Sequence, residues 1–211
     1  MIRLFFALLV CISTLLSKEF YLNPYFENQL KNDEKSSHIL KDYVKFLNKI
    51  STLDKKIQIE KVNNYINAIV PKYDAYNYRK EEYWATPFEF LSNAGGDCED
   101  YVIAKKYTLG LMGIPSEDMT FSVVKEKYSG GYHMVLSLHV DKNNSLLILD
   151  NLSTKILTWE KRIDLEPIFL FNRYGFYRFD EKRHIKEIEQ INIPAYKKMR
   201  ERDKRTLILT R

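Results

Sequence analysis

Gly95-Gly96-Asp97-Cys98-Glu99-Asp100-Tyr101 places one cysteine between a glycine pair and a cluster of carboxylates. The residues that follow have helical apolar spacing, so Cys98 is predicted to begin a helix. Unpaired backbone N–H groups and the helix dipole favour a thiolate there, and a thiolate attacks carbonyl carbons far better than a thiol does. We therefore interpret Cys98 as a nucleophile whose own N–H helps to hold an oxyanion. Gly95 and Gly96 leave room for a substrate backbone.

Residues 1–17 have the features of a secretory signal. Arg3 supplies the positive charge, residues 4–16 form an apolar run, and Ser17 is a small residue at the predicted cleavage site. The run is shorter than the roughly 20 residues that a membrane-spanning helix needs, and an uncleaved signal anchor is the alternative. Cys11 lies within it. The exported chain would then keep a single thiol, which cannot form an internal disulfide.

The net charge of +5 is concentrated at the carboxyl end of the chain. Residues 182–211 hold ten Lys/Arg and four Asp/Glu, a net of +6, and the signal holds one Arg, which leaves −2 for residues 18–181. The net charge of residues 18–181 gives no indication of nucleic-acid binding. We predict a signal peptide (1–17), one domain (18–181) and a basic C-terminal helix or tail (182–211). We interpret the last part as solvated, with docking to anionic lipid or a receptor as the alternative.

Apolar periodicity places helices before strands. Helical spacing occurs over residues 39–50, 57–70 and 98–111, and Thr86 with Pro87 begins a short helix. The segments with strand character come later, at residues 119–125, 133–140, 146–150, 155–159 and 174–179. This order predicts an α+β fold with N-terminal helices followed by an antiparallel sheet. Residues 18–35 are predicted to be an extended lead-in.

His133 is the candidate general base, and Asp150 is its candidate partner. His133 begins one predicted strand, and Asp150 ends the next. A hairpin around residues 141–144 would put both side chains on the same face, because side chains alternate along a strand. Asp150 could then hold the imidazole in its productive tautomer. The remaining histidines are interpreted as structural or solvated: His38, His139 and His184.

The acidic residues beside Cys98 allow two interpretations. Unpaired carboxylates would raise the pKa of the thiol, so a cation is expected among them. Several carboxylate oxygens within four residues suit Ca²⁺, which prefers oxygen ligands. Helix capping is the alternative, since acidic side chains are favourable in a first turn. Spacing alone favours capping slightly for these residues: Asp97, Glu99 and Asp100.

These motifs together resemble the bacterial transglutaminase-like cysteine proteinases, the LapG-type periplasmic proteases. The resemblance covers roughly residues 75–180 and four blocks: Trp84-Ala85-Thr86-Pro87-Phe88-Glu89-Phe90-Leu91, Gly96-Asp97-Cys98-Glu99-Asp100-Tyr101, His133-Met134-Val135-Leu136 and Leu149-Asp150-Asn151-Leu152. It implies a papain-like, transglutaminase-like fold for residues 18–181. It also implies a triad of Cys98, His133 and Asp150. The implied Ca²⁺ ligands are Asp97, Glu99 and Asp100, which favours calcium over capping.

The resemblance further implies a biological role. Members of this family cut large surface adhesins and so release cells from biofilms, and an inner-membrane cyclic di-GMP receptor holds them inactive. We therefore expect a periplasmic location, an adhesin as protein substrate and that receptor as inhibitor. Trp84 and Gly96 are candidates for the substrate groove or the oxyanion site, and packing in the core is the alternative for Trp84.

Three other functions are compatible with the same residues. A transglutaminase or amidase would use the triad with an amine acceptor in place of water. A non-catalytic calcium-binding module that holds an adhesin or receptor is the second, although such a module would not need an intact triad. A zinc site has the least support, because its four candidate ligands lack close-paired spacing: Cys98, His133, His139 and Asp150.

Overall fold

The computed structural model describes residues 18–139, 146–179 and 185–211. The helices are α1 (Pro24–Gln29), α2 (Glu34–Ile50), α3 (Lys55–Asn67), α4 (Asp74–Asn77), α5 (Pro87–Asn93), α6 (Cys98–Leu111) and α7 (Pro194–Arg202). The strands are β1 (Phe20–Leu22), β2 (Met119–Glu126), β3 (Tyr132–His139), β4 (Leu146–Leu149), β5 (Leu157–Thr158), β6 (Leu165–Phe171), β7 (Phe176–Phe179), β8 (Ile185–Ile188) and β9 (Ile208–Thr210). The predicted α+β fold is confirmed. The predicted signal, the turn at residues 141–144 and His184 lie outside the described residues.

Seven of the described strands form an antiparallel sheet in the order β5-β4-β3-β2-β6-β7-β8, and β1 and β9 form a separate pair. Both faces of β3 are covered, and six consecutive residues, 133–138, are buried. Leu136 packs in the core shared with the helices, whereas Val135 packs in a second cluster with Trp159 and Leu170 on the opposite face. A strand covered on both faces reads as a continuous apolar run, which explains the weak alternation of this segment.

The helical layer is built around α6, which packs against α3 and β3. In α2 the apolar positions recur at helical spacing, and all are almost fully buried: Leu40, Tyr43, Leu47 and Ile50. The hydroxyl groups of Tyr43 and Thr108 form a buried hydrogen bond of 2.7 Å, which joins α2 to α6. Because α6 is enclosed on most sides, its N-terminus has a fixed position relative to the sheet.

Several segments differ from the sequence-based expectation, among them β8, a strand that pairs with β7 although it lies in the predicted C-terminal helix or tail. Residues 18–35, predicted as an extended lead-in, contain β1 and α1, and β1 pairs with β9 at the other end of the chain. The sheet also includes β6, which the pattern missed because Pro167 argues against a strand. Pro167 lies opposite Val124, where the β2–β6 register shifts, and such an irregularity tolerates a residue without a backbone N–H.

The expectation of a solvated tail is wrong for residues 194–211. Met199, Leu207 and Ile208 are at most 3 % exposed, and β9 pairs with β1. Arg202 donates to the carbonyl oxygen of Trp84 at 2.6 Å. Charge density did not predict exposure here, because a few apolar side chains in the segment are packed against the body. The predicted domain boundaries themselves stay a prediction.

Deleting residues 194–211 is expected to destabilise the whole domain. The deletion exposes apolar surface now covered by three buried side chains, each worth about 2 kcal/mol. We expect a large fall in the calorimetric melting temperature. Lys198→Ala, at an exposed position of α7, is the matched control and should melt like the wild type. An unchanged melting temperature for the truncated protein would contradict the packing described above.

Candidate active site

Cys98 is the first residue of α6, and its free thiol is half-buried. The thiol donates to Oε2 of Glu99 at 3.2 Å. The backbone of Met134, the residue after His133 on β3, is near enough to the thiol to lower its pKa, against the effects of burial and Glu99. The start of the helix and the start of the strand are therefore adjacent, and the structure places the candidate nucleophile beside the candidate base.

His133 and Asp150 form a buried hydrogen-bonded pair. Nε2 of His133 lies 2.8 Å from Oδ1 of Asp150, and the two residues are 7 % and 1 % exposed. In the β3–β4 ladder Leu136 pairs with Leu149, so Asp150 follows β4 directly and shares the side-chain parity of His133. Since Asp150 occupies Nε2, the second ring nitrogen, Nδ1, is left to act as a base.

Arg162 also contacts Asp150, and sequence reasoning missed it. Its Nη2 donates to Oδ2 of Asp150 at 2.8 Å, and its guanidinium is shared with Asp164. The backbone N–H of Leu152 donates to Oδ1 of Asp150 at 2.8 Å. Burial by itself raises the pKa of Asp150, but the hydrogen bonds from His133, Leu152 and Arg162 outweigh it and lower that pKa to about 2. No local pattern marks Arg162, because its partner lies on another segment.

This lowered pKa has a consequence for acid stability. A carboxyl whose pKa is lower in the folded than in the unfolded state stabilises the fold above the unfolded value, near 4, and loses that effect as the pH falls toward 2. For Asp150 the difference is worth about 2 kcal/mol. Asp150→Asn should therefore be less stable than the wild type at pH 7, and the gap should narrow at pH 3. Guanidinium unfolding at both pH values measures it, and a pH-independent gap would contradict the assignment.

The acidic residue at the N-cap position of α6 does not cap the helix with its side chain. Asp97 stands at the N-cap position but makes no capping hydrogen bond with its side chain. One oxygen each of Asp74, Asp97 and Asp100 is buried without a hydrogen-bond partner among the described residues. These three residues can place ligand oxygens within 4.8 Å of one another, and so can Asp74, Glu82 and Glu99. Asp74 and Glu82 were not among the predicted ligands.

The carboxylates in this cluster repel one another when they are ionised. Burial first, and the neighbouring carboxylates second, raise the pKa of Asp97 to about 9 and that of Glu99 to about 7. The pKa of Asp100 rises to about 8, mainly through burial. Burial and Glu99 also raise the pKa of the Cys98 thiol. Buried carboxylate oxygens without donors are suited to a hard cation, so this donor set fits Ca²⁺.

Trp84 and Gly96 lie beside the acidic cluster. The indole N–H of Trp84 donates to Oε1 of Glu82 at 2.5 Å, and its ring packs against Phe171. The indole N–H of Trp84 is therefore already used in a hydrogen bond, and its role toward substrate or oxyanion stays a prediction. A Cβ on Gly96 would collide with Oδ2 of Asp100, so the glycine leaves room for the Asp100 side chain. A role of Gly96 toward substrate also stays a prediction.

The other described histidines lie away from this arrangement. His38 is exposed on α2 and contacts Asp42 at 3.1 Å, and His139 ends β3 opposite Leu146. Within residues 18–139, 146–179 and 185–211, the groups able to hold a metal consist of carboxylates alone. The zinc interpretation therefore gains no support. The described helices include none long and apolar enough to cross a membrane.

Comparisons with known proteins show the family and the fold of the chain. A family model described as bacterial transglutaminase-like cysteine proteinase matches residues 35–163. The calcium-bound structure of LapG from Legionella pneumophila is 28 % identical with a TM-score of 0.71, and the match covers 85 % of this chain and 97 % of that one. EGTA-treated LapG from the same organism is 27 % identical with a TM-score of 0.71, covering 85 % and 96 %. No curated protein matches the sequence. The predicted transglutaminase-like fold is confirmed.

Proposed function

Because this chain belongs to the bacterial transglutaminase-like cysteine proteinase family, and is therefore a cysteine proteinase, we propose that it is a calcium-dependent periplasmic endopeptidase acting on a surface adhesin. Its catalytic residues in this proposal are Cys98, His133 and Asp150. The observation that carries the proposal is the buried His133–Asp150 pair of 2.8 Å placed next to the Cys98 thiol through Met134.

The proposed reaction is acyl transfer through a thioester. Nδ1 of His133 takes the thiol proton as the sulfur of Cys98 bonds to the substrate carbonyl carbon. The backbone N–H of Cys98 at the helix N-terminus stabilises the oxyanion. Collapse of the tetrahedral intermediate breaks the C–N bond, and His133 gives its proton to the leaving amine. Water then attacks the thioester with His133 as base, which frees the acid product and the thiol. Asp150 keeps the proton on Nε2 and stabilises the imidazolium.

Calcium would be held by carboxylates on both sides of the nucleophile. The proposed ligands are the predicted Asp97, Glu99 and Asp100, joined by Asp74 and Glu82 from the segment before α5. Support comes from the buried oxygens of Asp74, Asp97 and Asp100 that have no hydrogen-bond partner among the described residues, and from the calcium-bound LapG structure. A bound Ca²⁺ would offset the negative charge that now opposes ionisation of Cys98. The chain's own contribution is to hold five carboxylates close to one thiol.

The substrate, the location and the partner rest on the family resemblance. The proposal places the mature protein in the periplasm, exported by residues 1–17. It takes the N-terminal region of a large surface adhesin as substrate. An inner-membrane cyclic di-GMP receptor is the proposed inhibitor. Cleavage of the adhesin would release cells from a biofilm.

Proteolysis of a purified adhesin N-terminal fragment from the same genome tests this function. Residues 18–211 and the Cys98→Ala variant are each incubated with calcium and with EGTA, and with the periplasmic part of the receptor. Cleavage by the wild type only with calcium, and suppressed by the receptor, is the expected result. Cleavage in EGTA would remove calcium from the proposal. A labelled amine joined to a glutamine peptide would instead identify a transglutaminase. An inert thiol without cleavage would identify a binding module.

A further inference from the structure

Lys105 is a completely buried cation for which the proposed mechanism has no use. It lies on α6 seven residues after Cys98, which is two turns farther along nearly the same helix face. It is 0 % exposed, and its Nζ has no hydrogen-bond partner in the described chain. An amine in such a position is unfavourable for folding compared with an apolar side chain of similar shape.

Asp150 is the acidic group whose charge acts on Lys105. Burial lowers the pKa of Lys105 to about 7, and the negative charge of Asp150 acts in the opposite direction. On α3, which packs against α6, Asn63 is also fully buried and has no side-chain hydrogen-bond partner among the described residues, and Asn67 donates to the Asp150 carbonyl oxygen at 2.7 Å. Asp150 is the acid that stabilises the ammonium form of Lys105.

Arg162 is the second buried cation on the same carboxylate. Its Nη2 donates to Oδ2 of Asp150, while Nε and Nη2 donate to the half-exposed Asp164 at 3.0 and 2.7 Å. Asp164 therefore fixes the guanidinium plane, and the guanidinium in turn occupies the Asp150 oxygen that His133 does not use. A carboxylate with both oxygens engaged cannot rotate away from the imidazole.

We propose that Arg162 is a positioning residue that holds Asp150 in its orientation toward His133, and that Arg162 and Lys105 together limit how strongly Asp150 stabilises the imidazolium. The inference rests on the proposed triad. The titratable groups around Asp150 are His133 from β3, Lys105 from α6, and Arg162 and Asp164 from the turn before β6. The positive charges of Arg162 and Lys105 offset the negative charge of Asp150. Without them Asp150 would stabilise the imidazolium so strongly that His133 could not pass its proton to the leaving amine.

The two cations have opposite expected effects on stability. Lys105→Met replaces an unpartnered amine by an apolar chain of similar length, so the melting temperature should rise. Arg162→Met leaves the buried Asp150 without its ion pair, so the melting temperature should fall. Each variant removes a positive charge that disfavours the imidazolium form of His133, so this form becomes more stable. The acid limb of kcat/KM on the adhesin fragment should therefore move to higher pH, by about one pH unit.

Kinetics and spectroscopy distinguish positioning from a purely structural role. Arg162→Met should lower kcat about 100-fold with little change in KM, because the base is misplaced. Arg162→Lys should recover part of that loss, and Asp164→Asn, which keeps both cations, is the control if Arg162→Met does not fold. In ¹⁵N-histidine NMR spectra, His133 should be the Nε2–H tautomer in the wild type and a tautomer mixture in the Arg162 variants. The His133→Asn protein assigns the signal.

An unmoved acid limb in Lys105→Met, or an unchanged tautomer in every Arg162 variant, would overturn the inference. The NMR spectra need no substrate, so they are independent of the proposed endopeptidase. If the wild type cleaves nothing but the tautomer changes as expected, the proposed function fails and the positioning stands. If the wild type cleaves and these variants behave like it in pH profile and tautomer, the positioning fails and the proposed function stands.

Discussion

Replacing Cys98 with serine is expected to abolish proteolysis of the adhesin fragment, lowering kcat by about 10⁴-fold or more. A serine hydroxyl ionises far less readily than a thiol, so it is a much poorer nucleophile at neutral pH. The fold should be unaffected. Serine is close to cysteine in size, and Glu99 and the Met134 N–H can both hydrogen-bond to its hydroxyl. Product mass spectrometry measures the loss.

Calcium titration and melting temperature are the controls for this variant. Both should match the wild type, since the acidic cluster is intact. Iodoacetamide labelling of the wild type, located by peptide mapping, should modify Cys98 and remove activity in the same proportion. Cleavage by Cys98→Ser at a wild-type rate would show that another group is the nucleophile, and the proposed triad would be wrong.

Asp74→Asn is expected to lower calcium affinity about 100-fold or more, because the charge and number of oxygen ligands set the affinity of such sites. Asp74 belongs to both groups of carboxylates that can hold a metal. The variant removes its charge and keeps its shape, and the amide oxygen can still accept the hydrogen bond from the Tyr83 N–H. Calcium-stimulated cleavage should fall with the affinity and return at high calcium concentration.

The calcium-free protein gives the matching stability prediction. Burial raises the pKa of Asp74, and the charge of Glu82 raises it further. Asp74→Asn should therefore melt no lower than the wild type in EGTA, but gain less from added calcium. Isothermal titration and melting curves measure both quantities. Glu81→Gln, at the exposed position beside Glu82, is the control and should bind calcium normally. Wild-type affinity in Asp74→Asn would exclude it as a ligand.

The sequence was informative wherever the determining signal is local. A helix start is marked by the residues around it, so Cys98 could be placed at the N-terminus of α6. Parity along two neighbouring strands put His133 and Asp150 on one face for a two- or four-residue turn, and the β3–β4 register agrees with that parity. The α+β order followed from periodicity in the same way.

The long-range contacts required the tertiary structure. Asp74 joins Asp97 and Asp100 across more than twenty residues of chain, and Arg162 reaches Asp150 from a separate turn. Periodicity carries no information about such pairs, because it reports which face of an element is buried and not what covers it. The same reason explains β9, whose partner β1 lies at the opposite end of the chain.

Local sequence thus determined which residues are chemically able to act: one thiol at a helix start, one histidine and one aspartate on adjacent strands. The tertiary structure decided which charges surround them. Lys105 shows the difference, because its helical position was readable from sequence, but its burial beside Asp150 depends on α3, α6 and the end of β4 packing together. Electrostatic environment is a property of packed elements, since burial sets the desolvation and distance sets the charge interactions.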